Sequence, residues 1–201
     1  RALAHSTGKL LGKEARGRGK DMILAPGINI MRSPLCGRSF EYMGEDPYLV
    51  SELVVPLVQG IEENDVSSCV KHFAVNNQET RRLDVDVEVS ERALREIYLP
   101  GFEAAVKRGK AKGIMGAYNK LRGTHCCHHD VLFNEILRGE WGYEGIIVSD
   151  WGGVHDTKEA LMSGLDIEMS VTNDFDQYYM AEPLLNLIER GEVEEKTALA
   201  K

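Results

Sequence analysis

Asp150 stands directly behind the apolar run Gly-Ile-Ile-Val-Ser and ahead of Trp151-Gly-Gly. A carboxylate that leaves an apolar strand is placed for nucleophilic or acid–base work, and an adjacent indole offers a flat apolar face of the kind that holds the CH surface of a sugar. The same aspartate could instead cap the helix expected from Val154, a position that Asp favours, although Ser149 or Asp156 could serve as that cap equally well.

Lys71 and His72 also leave an apolar run together. In a regular strand, pleating would send their side chains to opposite faces, so both reach one ligand only if the backbone departs from regularity there. Otherwise they read as a satisfied core histidine and a lysine extending its stem along the surface. Asn76-Asn77-Gln78-Glu79-Thr80-Arg81 follows them, and Tyr118-Asn119-Lys120 closes the next apolar run. Arg38 lies in Cys-Gly-Arg-Ser-Phe-Glu-Tyr-Met-Gly-Glu-Asp-Pro. Its forked guanidinium could bond two ligand hydroxyls, or pair with Glu41 or Glu45 to order the loop, and the two roles are compatible.

The elements that position these residues alternate. Short apolar, β-rich runs near Met22 to Ile30, Ser68 to Phe73, Gly113 to Tyr118, Gly145 to Ser149 and Leu165 to Met169 suit parallel strands covered on both faces. Helical spacing fills the intervals: Pro47 to Glu63, Ser90 to Arg108 with Pro100 as a kink, Asp130 to Arg138, Val154 to Met162 and Tyr178 to Arg190, with Gly139, Gly164 and Gly191 as stops. About five βα steps are too few to close an eight-fold barrel, which needs about 250 residues, so an incomplete α/β barrel is expected. A doubly wound open sheet would carry a Gly-rich phosphate turn after its first strand, where this chain has Ala-Pro-Gly-Ile-Asn-Ile. In a parallel barrel the chemistry sits at the C-terminal strand ends, where Lys71, His72, Tyr118 and Asp150 all fall.

Bulk properties narrow the partners. The 201 residues are 43% hydrophobic and 28% charged, an ordinary globular composition. The net charge of -8 argues against nucleic acid, whose binding rests on clustered cations. No run approaches the eighteen or so apolar residues of a membrane span, and the start at Arg1 leads us to expect that the true N-terminus is missing. Cys36, Cys69, Cys126 and Cys127 form no C-x-x-C pattern; reduced structural thiols are expected, and a metal site at Cys126-Cys127-His128-His129 is the weaker alternative. Neither compartment nor oligomeric state is fixed by any of this.

Taken together, the motifs resemble the N-terminal domain of family 3 glycoside hydrolases, the β-glucosidase group. Gly37-Arg38-Ser39-Phe40-Glu41 with Gly44-Glu45-Asp46-Pro47, Lys71-His72-Phe73-Ala74 with Asn76-Asn77-Gln78-Glu79, Met115-Gly116-Ala117-Tyr118-Asn119, and Val148-Ser149-Asp150-Trp151-Gly152 carry the match, with Gly164 to Met169 as a further strand. The resemblance implies a (β/α)8 barrel present in part and a retaining hydrolase of terminal β-D-glucosyl residues. Asp150 would be the nucleophile that forms a glycosyl-aspartate ester. Arg38, Lys71 and His72 would hydrogen-bond sugar hydroxyls, Tyr118 would stand beside the nucleophile, Met115 would line the pocket and Trp151 would pack on the sugar. Arg38 and Lys71 would lower the pKa of Asp150. Neither a cofactor nor a metal is implied.

Departures from the family pattern also carry expectations. A retaining hydrolase needs a second carboxyl, and in the β-glucosidases of the family it comes from a later α/β domain. This chain is therefore expected to be part of the barrel only, residues 1–201, with contacts to that missing domain. The N-acetylglucosaminidase branch carries a Pro-Gly-His-Gly stretch that is replaced here by Ala-Val-Asn-Asn-Gln-Glu. That branch, a β-xylosidase and a silent sugar-binding relative remain the alternatives. His125, His128 and His129 read as surface-loop residues. An aldolase-type barrel using Lys71 as a Schiff base is the competing chemistry.

Overall fold

A computed structural model describes residues 1–200. Four parallel strands form the main sheet in the order β1 (Met22–Ile23), β2 (Ser67–Phe73), β4 (Gly113–Gly116) and β7 (Ile146–Val148). Between β2 and β4 the chain adds β3 (Asp86–Val87), and after β4 come β5 (Lys120–Leu121) and β6 (Thr124–His125), which make a separate three-stranded sheet. Arg122 and Gly123, at φ 52° and 91°, turn β5 back onto β6.

The expected strand from Met22 to Ile30 pairs as a ladder only at its start. Pro26 has no N–H to offer, and beyond it the pairing reduces to a single bridge between Gly27 and Lys71. The expected strand from Leu165 to Met169 is likewise reduced to one bridge, Val148 to Ile167, at the sheet edge. An α/β arc of a barrel is present, with its fifth step marked by that bridge.

Alternation along the strands gives the sheet two apolar faces. Val70, Ile114 and Ile147 join the main core beneath the helices, whereas Cys69, Met115 and Val148 form a smaller cluster with Met22, Leu24 and Met169 on the opposite face. Met115 thus fills the inner side of the arc.

Helices cover the outer face. α1 (Ala2–Gly17) was not expected from its charge-rich sequence; it packs on α2 (Pro47–Glu62) through glycines. A Cβ at Gly8 would stand 2.1 Å from the Leu57 carbonyl oxygen, and one at Gly60 2.3 Å from that of His5, so only glycine permits this approach. The run from Glu91 to Gly109 is helical apart from a bend at Leu99, and α3 (Glu91–Ala93) and α4 (Pro100–Ala104) alternate with π-helical turns Leu94–Tyr98 and Ala105–Gly109. The first π turn sits just before Pro100, where the Leu99 N–H reaches back to the Leu94 carbonyl and makes room for the ring.

The π-helical segment Val131–Glu140 runs through Gly139, and the chain turns instead at Gly142, at φ 65°. The stops expected at Gly164 and Gly191 do follow α5 (Thr157–Met162) and α6 (Glu182–Glu189), both with positive φ. α7 (Glu195–Leu199) ends the described chain. Among the described residues no helix is long and apolar enough to cross a membrane.

Candidate active site

Asp150 follows β7 immediately. The Asp156 carboxylate accepts from the Glu159 N–H at 2.7 Å and caps α5, so the capping alternative for Asp150 falls away. Asp150 Oδ1 accepts from the Trp151 N–H at 2.9 Å, and the Asp150 N–H bonds Cys127 Sγ at 3.3 Å. Cys127 donates in turn to the Ala117 carbonyl at 3.3 Å, and Cys126 to that of Ala74 at 3.5 Å. Both thiols are spent within the fold, and burial pushes Cys126 up to about 12. Among the described residues, no group of three His, Cys, Asp or Glu side chains is placed to hold a metal ion.

The Asp150 side chain is only 6% exposed, and its Oδ2 has no hydrogen-bond partner among the described residues. Burial raises its pKa, against the opposing pulls of the Trp151 N–H, the Tyr118 hydroxyl, Arg38 and Arg82. The expected lowering by Arg38 and Lys71 is therefore corrected: Arg38 does pull that way, but desolvation outweighs it, and Lys71 faces a different carboxylate. Tyr118 is pushed up to about 12 by burial and by the charge of Asp150, so it presents a neutral hydroxyl.

Lys71 and His72 both reach this side of the sheet. The ladder between β2 and β4 loses its register between Val70 and Phe73, and the Lys71–His72 peptide is cis. The Asn29 side chain occupies the gap, accepting from the His72 N–H at 2.7 Å and donating to the His72 carbonyl at 2.8 Å. His72 Nε2 lies 3.8 Å from Asp150 Oδ2, and Nδ1 lies 3.4 Å from the Tyr42 hydroxyl. Burial, followed by the charges of Arg38, Lys71 and Arg82, pushes His72 down to about 2. It is a neutral imidazole.

Arg38 Nε donates to Glu41 Oε1 at 2.5 Å, while Lys71 Nζ stands 3.3 Å from Glu41 Oε2. Of the two partners open to Arg38, Glu41 is the one used. Burial disfavours the Arg38 cation, but the bond to Glu41 and the nearby acidic groups raise its pKa overall. Trp151 is 51% exposed at the rim, and Met115 is buried against Cys69 and Val148.

Two contributors escaped the sequence. Arg82, not Arg81, turns inward: it bonds Glu79 at 2.7 Å, and its guanidinium carbon lies 4.6 Å from the centre of the Tyr118 ring. Arg81 is exposed and paired with Asp84. Asn29 is the other; nothing local marked it, because its partner is 43 residues away. The histidines of the β6 turn also differ from expectation. His128 and His129 are buried, and the His125 ring lies against that of His155, tilted by 30° with centroids 3.9 Å apart. A cavity of about 590 Å3 lined by Val75, Tyr98 and Asn119 touches none of Asp150, Lys71 or His72, so the side-chain chemistry locates the site better than cavity size.

Comparison with known proteins decides the family. The glycosyl hydrolase family 3 N-terminal domain matches residues 1–200. The chain belongs to this family. Within family 3, Beta-glucosidase BoGH3A of Bacteroides ovatus is 56% identical over 95% of this chain and 27% of its own length. The Exo-alpha-(1->6)-L-arabinopyranosidase of Bifidobacterium longum is 45% identical over 89% of this chain and 24% of its own. Among solved family 3 structures, beta-glucosidase 3B from Thermotoga neapolitana in complex with glucose aligns with a TM-score of 0.92 at 44% identity, covering 98% of this chain and 28% of that one. The chain thus spans about a quarter of the length of the relatives it matches.

Proposed function

We propose that this chain is the nucleophile-bearing part of a retaining β-glucosidase. The observation that carries the reading is the setting of Asp150: a buried carboxylate at a strand end, with one oxygen unpartnered, faced by the Tyr118 hydroxyl and a neutral His72. Such an oxygen is free to attack an anomeric carbon and form a glycosyl ester, which water then hydrolyses. Arg38, Lys71, Arg82 and His72 surround it with donors for sugar hydroxyls. Trp151 at the rim offers an aromatic face, and Met115 supports the strand ends from within the arc.

The two carboxyls beside the cations of the site, Glu41 and Glu79, are not free for the acid/base role. Glu41 faces Arg38 and Lys71, and Glu79 faces Arg82, so both are engaged by cations. The proton donor to the leaving oxygen is assigned to a later domain of the full-length protein, which would dock against this face. The substrate is read as a terminal β-D-glucosyl residue, because BoGH3A and the Thermotoga enzyme are named β-glucosidases. The arabinopyranosidase relative favours a second reading, a pyranoside of another sugar.

Inactivation of the full-length protein by a 2-fluoro-β-glucoside, with the labelled peptide mapped by mass spectrometry, tests this function. The expected label is an ester on Asp150. A label on another residue, or borohydride trapping of Lys71 with a carbonyl substrate, overturns it.

A further inference from the structure

Glu41 touches two cations of the site at once. Its Oε1 meets Arg38 Nε at 2.5 Å and its Oε2 meets Lys71 Nζ at 3.3 Å, with all three side chains largely buried. Arg82 has its own partner in Glu79. With Asp150 ionised, the three cations Arg38, Lys71 and Arg82 face the three anions Glu41, Glu79 and Asp150, and the charges cancel.

The placement of Glu41 is tightly constrained. It ends the short 3-10 turn Ser39–Glu41, and the Gly27 backbone passes against it. A Cβ on Gly27 would stand 3.2 Å from Glu41 Oε2 and 3.1 Å from the Tyr42 ring, closer than the packing readily tolerates. Arg38 and Lys71 arrive from different segments, the loop after β1 and the irregular end of β2, and Glu41 is the group that ties them together.

We propose that Glu41 is a positioning residue: it fixes Arg38 and Lys71 for the hydroxyls of a neutral sugar, and by balancing their charge it sets the subsite against anionic sugars. The inference rests on the glycosidase reading above. Without Glu41 one buried cation is uncompensated, and a carboxylate-bearing ligand becomes its natural partner.

The test compares wild type with Glu41→Gln in the full-length enzyme, using 4-nitrophenyl β-D-glucoside as substrate and D-glucose and D-glucuronate as competitive inhibitors. In Glu41→Gln, KM for the glucoside should rise about tenfold with kcat changed by less than about threefold. Inhibition by glucuronate relative to glucose should strengthen about tenfold. Glu41→Asp keeps the charge but shortens the reach, so it should raise KM while leaving the inhibitor ratio at the wild-type value. An unchanged KM and inhibitor ratio in a Glu41→Gln protein that melts like wild type overturns the proposal. If Glu41→Gln does not fold, Glu41→Asp kinetics identical to wild type overturn it. Either result in a variant, with a wild type that takes the fluoroglucoside label at Asp150, defeats this inference alone, whereas absence of that label defeats the function on which it rests and the inference with it.

Discussion

Nε2 of His72 stops 3.8 Å short of Oδ2 of Asp150, so an imidazole and a carboxylate share one buried pocket without forming a hydrogen bond. Three neighbouring cations compete for the same field. Burial and the charges of Arg38, Lys71 and Arg82 keep His72 neutral, which is consistent with the nucleophilic role proposed for Asp150.

This has a consequence for stability against pH. The unfolded histidine takes up a proton near about 6.5, whereas the folded one stays neutral far below that. The unfolded state therefore binds more protons in that interval, and stability present above about 6.5 is lost as the pH falls. Burial shifts His129 in the same direction. The melting temperature should drop on acidification from about pH 7.5 to about 5, each buried histidine contributing at most about 1.4 kcal/mol per pH unit. His72→Gln should flatten that slope; an unchanged slope would show that His72 titrates normally in the folded protein.

Asp150→Asn should lower turnover of an aryl β-glucoside at least about 1,000-fold and yet raise the melting temperature by about 2–4 °C at neutral pH. Because burial raises the Asp150 pKa, the folded state holds this proton to higher pH than the unfolded chain does. The contribution of Asp150 is favourable in acid and is lost as the pH rises through the raised value, so the advantage of Asn is full at neutral pH and vanishes in acid. Calorimetry at two pH values checks the sign.

The adjacent arginines should separate cleanly. Arg82→Ala removes the cation over the Tyr118 ring, and kcat/KM should fall by about 10- to 100-fold, the range for a hydrogen bond from a charged donor. Arg81→Ala breaks an exposed pair with Asp84 and should leave kcat/KM within about twofold. Equal losses would place both side chains at the substrate.

Asn29→Ala deletes the amide that serves both backbone groups of His72. Two buried polar groups then lack partners, and stability should fall by about 2 kcal/mol or more, visible as a lower urea midpoint. KM for the glucoside should rise as well, because Lys71 and His72 leave the strand at this point. A loss of stability with unchanged KM would confine Asn29 to a structural role.

The main parallel strands were legible because period and composition are local properties: β2 and β4 carry the apolar residues that a sheet covered on both faces requires. The strand ends were less so. Pro26 cuts the first strand short, and the fifth runs along the sheet edge with a single bridge. α1 was hidden because its contact surface is made of Gly8 and Gly12, whose value lies in what they leave out. The buried histidines of the β6 turn were misread because the turn folds back on itself: His129 is buried where its Nε2 meets the Leu121 carbonyl oxygen at 3.2 Å.

By itself the sequence determined which chemical groups stand at the strand ends, Lys71 and His72, Tyr118 and Asp150, and which family their order belongs to, because motif and period are written residue by residue. Tertiary structure alone decided how those groups act on one another. Arg81 takes a left-handed turn, at φ 51°, and its neighbour Arg82 is the one that faces the Tyr118 ring. Asn29 finds His72 across 43 residues. At Asp150 the balance between desolvation and nearby cations depends on burial and distance, quantities that exist only once the chain has folded.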